Sequence, residues 1–319
     1  MRVLVAGAGG IGSVIGALLR LAGDEVTLLG RPAHLAGVAA DGLRLDGLWG
    51  EHVATGFHLV EDAAHLSGQY DGILVTVKSY DTCVIAEAVG PFLAPGGIII
   101  SLQNGLGNIE QLVATAGRAR ALGGRVIFGA EAVAPGRVRV TVYADPVLIG
   151  PWGADPDPRI TAQAQWWAHH CDAAGIPSAA TDDIAAALWG KVLYNTPLNP
   201  LSALLGVHYG ALTENEHARS IMDQVIDETF AVATAEGIVL PWASAAEYRA
   251  TFYDRLVPST FHHRSSMLQD LERGRRTEID AINGEVWKRG AARGIVTPIN
   301  ELLTRLMHAR EASRAGKVS

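Results

Sequence analysis

Residues 1–31, MRVLVAGAGGIGSVIGALLRLAGDEVTLLGR, decide the fold. Val3 to Ala6 is a short apolar run suited to a buried parallel strand. Gly7, Ala8, Gly9, Gly10, Ile11 and Gly12 then spell G-x-G-x-x-G, and an amphipathic segment runs from Ile11 to about Leu21. Gly23 ends that helix, and Glu25 to Leu29 reads as a second strand. Three glycines in a turn would mean little in a chain that contains 36. The strand–turn–helix–strand order around them is what points to a dinucleotide. Gly7 permits the tight turn, and Gly9 lets backbone N–H groups approach a pyrophosphate. Gly12 lets the helix pack closely on the strand, whose neighbouring helix N-terminus adds partial positive charge.

The second strand selects the nucleotide. An NAD site carries Asp or Glu at that strand's end, accepting from the ribose 2′-OH. Here Gly30-Arg31-Pro32 takes the place. No carboxylate is present to repel a 2′-phosphate, and Arg31 can grip one with its planar fork. The alternative is a solvated loop arginine. The expectation is NADP(H).

Composition narrows the class. A chain of 319 residues suits two domains, and 49% hydrophobic with 18% charged residues is globular. A net charge of −7 with dispersed Lys and Arg favours neither nucleic acid nor an anionic membrane as partner. Cys83 and Cys171 form no C-x-x-C pair, so no disulfide framework or thiolate metal site is signalled. His169-His170 and His262-His263 lack a completing ligand spacing, so no metal is expected. No apolar run reaches the roughly 18 residues of a membrane span, and a cytoplasmic location is the default.

Two further strand exits follow. Ile73 to Val77 ends in Lys78, and Ile98 to Leu102 runs into Gln103-Asn104-Gly105. In a doubly wound sheet the carboxyl ends of strands face the ligand crevice, so Lys78 and Asn104 are candidates for one cleft. Residues 122–150 read as short strands extending the sheet in antiparallel fashion, with Pro135-Gly136 as a turn. A helix over 159–175 closes an N-terminal domain, 1–178. Helical patterns then dominate, which assigns 179–319 to an all-α domain.

In that second half, Asp182 and Asp183 are suited to cap a helix from Ile184. LWGKVLYNTPLNP (188–200) puts Lys191, Asn195 and Asn199 four residues apart, on one face provided the helix survives Pro197, which is expected to bend it. On their own these three are compatible with a snorkelling lysine and capping amides. SSMLQDLERGRRTEIDAINGEV (265–286) adds Ser265, Ser266, Glu278 and Asp280.

Taken together, the chain resembles the ketopantoate reductase (2-dehydropantoate 2-reductase) family over essentially its whole length. The resemblance rests on the glycine turn, VTVKSYD, QNGLGN, LWGKVLYNTPLNPLSAL and SSMLQDLERGRRTEID, of which the last two motifs are the family-specific ones. It implies an α/β Rossmann-type N-terminal domain with an all-α C-terminal domain, as in 6-phosphogluconate dehydrogenase-like proteins. It also implies NADPH-dependent reduction of ketopantoate to pantoate, on the route to pantothenate and coenzyme A. By the same resemblance Lys191 is the catalytic acid, supported by Glu278. Asn104, Asn195, Asn199 and Ser266 contact the substrate, and Arg31 and Lys78 hold the adenosine phosphate and its neighbours. The position three before Ser266 is asparagine in well-studied members; here it is His263, which retains donor chemistry but opens the choice of substrate. A homodimer through the helical half is also implied.

The chemistry asks for these residue types in its own right. Hydride delivery to a 2-oxo group builds an alkoxide that needs a proton and a nearby positive charge. An ammonium, with an ordinary pKa of about 10.4, supplies both at neutral pH. Two alternatives stand beside this expectation. One is a reductase of the same family acting on another 2-oxo acid; the other is a non-catalytic NADP(H) sensor, which would need the glycine turn but not the acid.

Overall fold

The computed structural model describes residues 1–153 and 155–315. The chain parts into two compact units, Met1–Ala185 and the segment from Ala186 onward. Strands and helices alternate in the first unit: β1 (Arg2–Ala6), α1 (Gly10–Leu21), β2 (Glu25–Leu29), α2 (Pro32–Asp41), β3 (Leu43–Gly47), β4 (His52–Ala54), β5 (His58–Val60) and β6 (Tyr70–Val75). There follow α3 (Thr82–Val89), β7 (Leu93–Ser101), α4 (Asn108–Ala116), β8 (Ala121–Arg125), β9 (Phe128–Ala134), β10 (Arg137–Tyr143), β11 (Val147–Pro151), α5 (Pro158–Ala173) and β12 (Ser178–Ala180).

The main sheet has eight strands in the order β12-β11-β8-β7-β6-β1-β2-β5. From β5 to β8 neighbours run parallel. Such strands are covered on both faces, and the burial of Val3, Leu4, Val5 and Ala6, all without exposure, matches that placement. The chain builds β1, β2 and β5 to one side, then returns to place β6, β7 and β8 on the other. This puts the topological switch, where doubly wound sheets take their ligands, between β1 and β6.

The antiparallel extension expected over 122–150 holds only in part. β11 pairs antiparallel with β8 and continues the main sheet. β9 and β10 leave it, forming a separate four-stranded sheet, β4-β3-β10-β9, in which β10 runs parallel to β3. Beyond α5 the chain contributes one more strand before the helical half, since β12 pairs in parallel with β11. One apolar core joins the sheets and helices of this unit, from Val3 and Leu28 through Val138 and Ile149 to Trp167 and Ile176.

Among the described residues the second unit is helical: α6 (Ile184–Leu205), which starts just before it, α7 (Tyr209–Thr213), α8 (Glu216–Ala235), α9 (Ala245–Thr251), a π-helical turn over Phe252–Leu256, α10 (Val257–Ser259), α11 (Ser266–Glu272), α12 (Asn283–Ala292) and α13 (Pro298–Ala315). Its core gathers Leu193, Leu198 and Leu201 of α6 with Tyr209, Met222, Ile226, Tyr248, Phe252 and Leu303. A second cluster joins Met267, Leu268, Leu271, Ile279 and Ile282 to Met307. Trp167 and Trp189 are buried, whereas Trp166 is exposed and stacks on His170. Among the described residues no helix is long and apolar enough to cross a membrane.

Candidate active site

Register aligns four strand exits. Leu29 lies beside Ala6, Ala6 beside Val75, and Val75 beside Ser101, so β2, β1, β6 and β7 end on a common line. Past that line come Arg31, the Gly7–Gly12 turn, Lys78 and Asn104, each within a few residues of its strand end. The equivalent placement of Lys78 and Asn104 is thus present: each sits three residues beyond the paired Val75 and Ser101.

The glycine turn is built for close approach. Gly7 has φ +120°, a conformation side chains rarely adopt, and its N–H and that of Ala8 both donate to the Leu29 carbonyl, at 3.0 and 2.9 Å. A Cβ on Gly12 would lie 2.2 Å from the Gly7 carbonyl oxygen and 2.5 Å from Thr76 Oγ1. That hydroxyl donates to the same Gly7 carbonyl at 2.8 Å. Gly9, the residue that caps α1, faces open space on its side-chain side, with nothing within 4 Å. No side chain caps α1 and no acidic residue lies in its first turn, so its first N–H groups and dipole are turned to that open space. The cradle fits a pyrophosphate, because an anion there satisfies donors that nothing in the helix serves. Ala8 is buried behind the turn, and Gly10 packs under Ala130 of β9, where a Cβ would stand 2.4 Å from the carbonyl oxygen. Ile11 is half-buried against the core.

Arg31 is exposed and precedes Pro32 at the start of α2, with its carbonyl accepting from the His34 and Leu35 N–H groups. His34 bridges two layers: one ring nitrogen meets Ser13 Oγ at 2.9 Å, and the other accepts from the Gly136 N–H. Burial, with the Arg31 guanidinium nearby, holds the imidazole below its ordinary pKa. Burial acts the same way on His263. A histidine kept neutral in the fold adds stability that is complete above the unfolded value, about 6.5, and is lost as pH falls through its lower folded value. The melting temperature is therefore expected to drop as pH is lowered from about 7 toward 5. His34→Gln should flatten that drop, measured by calorimetry across the range; an unchanged slope would refute the role.

Beneath Lys78 and Asn104 lies a polar web not anticipated from the sequence. Gln103 Nε2 donates to the Val77 carbonyl at 3.0 Å and to Thr82 Oγ1 at 2.7 Å. Thr82 Oγ1 also lies 2.8 Å from Asn108 Oδ1, and Asn108 Nδ2 donates to the Asn104 carbonyl at 2.8 Å. Gln103, Thr82 and Asn108 are buried, so these bonds are made away from water and fasten the two exit loops together. The signal in the sequence was present, in buried-strand ends followed by Gln and Asn, but a polar residue just past a strand reads equally well as solvated.

In the second unit α6 runs unbroken from Ile184 to Leu205, with Pro197 and Pro200 inside it. The helix survives the proline, and Lys191, Asn195 and Asn199 stay on one face. Lys191 is half-buried, while Asn195 and Asn199 are buried. Asn199 is held from two sides. Its Oδ1 accepts from the Tyr209 hydroxyl at 2.6 Å, and its carbonyl accepts from Ser265 Oγ at 3.3 Å. Complete burial pushes the Tyr209 phenol well above its ordinary pKa, so it stays a donor and leaves the Asn199 amide N–H groups as the face offered outward.

The 261–266 segment separates the two adjacent serines. Ser265 is fully buried and caps α11, accepting from the Leu268 N–H, whereas Ser266 is exposed as the first residue of that helix. His263 is half-buried, 5.2 Å from the Tyr209 ring, and its carbonyl accepts from the Tyr209 N–H at 3.1 Å. Tyr209 thus joins Asn199 and His263, a link that their spacing in sequence does not suggest. Glu278 is buried where α11 and α12 connect. Asp280, by contrast, is exposed and pairs with Arg276 and His308. Among the described residues no group of three or more His, Cys, Asp or Glu side chains is placed to hold a metal ion.

Comparison with known proteins places this arrangement. The ketopantoate reductase PanE/ApbA pattern matches residues 3–154, and the ketopantoate reductase PanE/ApbA C-terminal pattern matches 183–311. The chain belongs to the ketopantoate reductase family. It is 38% identical to a 2-dehydropantoate 2-reductase of Aquifex aeolicus, covering 98% of this chain and 97% of that one. Among solved structures it is similar to a PanE/ApbA family ketopantoate reductase from Ralstonia eutropha JMP134, with a TM-score of 0.86 and 34% identity over 99% of this chain and 100% of that one. It is also similar to a D-mandelate dehydrogenase solved with NADH and anilino(oxo)acetate, with a TM-score of 0.87 and 26% identity over 98% of this chain and 99% of that one. The likeness to the Ralstonia eutropha structure covers 99% of this chain, so it takes in residues of both units.

Proposed function

We propose that the chain reduces 2-dehydropantoate (ketopantoate) to pantoate with NADPH, taking the nucleotide on its first unit and reading the substrate with its second. The observation that carries this reading is the row on α6: an ammonium and two buried amides, Lys191, Asn195 and Asn199, on one face of an unbroken helix. A reduced nicotinamide, when bound, supplies the hydride for C2 of the oxo acid. Lys191 polarises the carbonyl and gives its proton to the oxygen as charge develops there. Glu278 orients the ammonium. Asn195, Asn199 and Ser266 donate to the carboxylate and the hydroxyl of the substrate, with neutral His263 adding one ring N–H. Asn104 stands beside the nicotinamide, Arg31 and Lys78 hold the adenosine phosphate and its neighbours, and Gly7 to Gly12 receive the pyrophosphate.

Arg31 supports NADPH over NADH, since it stands where an NAD-selective site has a carboxylate. A charged hydrogen bond of about 1.5–3 kcal/mol corresponds to roughly tenfold to a hundredfold in affinity. Arg31→Ala is expected to lower the NADPH-over-NADH preference in kcat/KM by that factor. An unchanged ratio would assign the arginine to solvent. The D-mandelate dehydrogenase relative, together with His263, favours one second reading, a larger or aromatic 2-oxo acid as substrate. The deciding assay follows loss of reduced-nicotinamide absorbance with ketopantoate, phenylglyoxylate and branched 2-oxo acids. Fastest turnover of ketopantoate supports the first reading, and phenylglyoxylate the second. Nicotinamide binding with no turnover of any 2-oxo acid would instead make the chain a sensor. A cytoplasmic, homodimeric enzyme is the expected form.

A further inference from the structure

Pro200 sits inside α6 and has no N–H, so the carbonyl four residues earlier, Thr196, loses its helical donor. The structure supplies a replacement: Asn283 Nδ2 donates to the Thr196 carbonyl at 3.0 Å. The same nitrogen donates to Asn300 Oδ1 at 3.0 Å, and Asn300 Nδ2 donates to Glu228 Oε2 at 2.8 Å. Glu228 also accepts the Ile299 and Asn300 N–H groups at the start of α13, each at 2.9 Å. Both ends of this chain can only accept, a carboxylate at one and a carbonyl at the other. That fixes the orientation of both amides, because each must turn its NH₂ toward its acceptor.

Thr196 is held a second way. Thr229 Oγ1 donates to the Val225 carbonyl at 2.7 Å, so the contact between Thr196 and Thr229 hydroxyls, 3.2 Å, runs from Thr196. Thr196, Thr229, Asn283 and Asn300 are all fully buried. The arrangement has a cost: Asn283 Oδ1 is buried with no partner in the structure. Alanine at 200 and an apolar residue at 283 would satisfy the helix without a buried polar chain. What the present arrangement provides is a fixed point between Asn195 and Asn199.

We propose that Asn283 is a positioning residue for the oxo acid, setting the pitch of α6 at Thr196 and hence the separation of the Asn195 and Asn199 amides. This rests on the reading that those amides contact the substrate. The test compares wild type, Asn283→Leu and the double variant Asn283→Leu with Pro200→Ala, in which residue 200 regains an N–H for the Thr196 carbonyl. KM and kcat for ketopantoate, the NADPH Kd, the melting temperature and the Asn195 and Asn199 side-chain amide resonances of asparagine-labelled protein are measured. The single variant is expected to raise KM about tenfold with the NADPH Kd changed less than about twofold, and the double variant to return KM toward wild type. A folded single variant with wild-type KM, or a folded double variant whose KM stays raised, would overturn the proposal. If Asn283→Leu does not fold, Asn283→Ser, whose hydroxyl is too short for the carbonyl, takes its place. If wild type turns over no oxo acid, the functional reading fails by itself. The resonances then decide: displacement in the single variant and return in the double sustain the positioning role, and no displacement refutes it.

Discussion

Lys191→Ala is expected to lower kcat for ketopantoate by about two to four orders of magnitude, the span that a positioned general acid contributes. NADPH binding should persist, since the glycine turn, Arg31 and Lys78 all belong to the first unit. Lys191 is a half-buried cation in a helix whose next two residues, Val192 and Leu193, are core. Placing an ammonium there costs free energy unless it is used or paired. Lys191→Arg separates the two tasks assigned to it. A guanidinium keeps the charge that polarises the carbonyl but does not release a proton near neutral pH. It should recover little of the lost rate, whereas a purely electrostatic role would let arginine restore most of it. Stopped-flow oxidation of NADPH at saturating ketopantoate distinguishes the two. Turnover by the alanine variant near that of wild type would remove Lys191 from the mechanism altogether.

Local signals were legible and non-local ones were not. The first three elements follow from glycine spacing and apolar runs, and β2 spans Glu25–Leu29 as those residues suggest. The strand exits at Lys78 and Asn104 could be found because a buried parallel strand reads as a continuous apolar run with an abrupt end. The second sheet could not. Its β3 and β10 lie far apart in the chain, and nothing in RVRVTVY declares that its partner is LRLDG rather than the neighbouring hairpin strand alone. Proline removes one helical hydrogen bond, and at Pro200 the donor that replaces it is Asn283, a residue from a distant segment that no local reading of α6 supplies. In the serine pair, burial decides which one builds the helix cap and which one faces outward, and adjacent identical residues carry no local cue to that difference.

The second large effect is expected at Gly12, and it is best seen beside Gly9. Both belong to one fingerprint, yet the structure gives them different tasks. A methyl group at Gly12 would stand 2.2 Å from the Gly7 carbonyl oxygen and 2.5 Å from Thr76 Oγ1, neither of which is the end of a flexible side chain able to swing away. Relief requires α1 to lift from β1, opening a core that includes Val5, Ile15 and Leu28. Overpacking of this kind costs about 1–3 kcal/mol or more, and the turn that it displaces is the one proposed to hold pyrophosphate. Gly12→Ala should therefore lower the melting temperature by several degrees, as that loss implies for about 1–3 kcal/mol. It should also weaken NADPH binding by more than about tenfold. Gly9→Ala meets nothing within 4 Å, so its stability should match wild type. Its methyl group would instead occupy the space kept for the nucleotide, and only NADPH affinity should fall. Calorimetry and cofactor titration on the two variants read these effects separately. A Gly9→Ala protein that binds NADPH as wild type does would mean that the pyrophosphate lies elsewhere than at the start of α1.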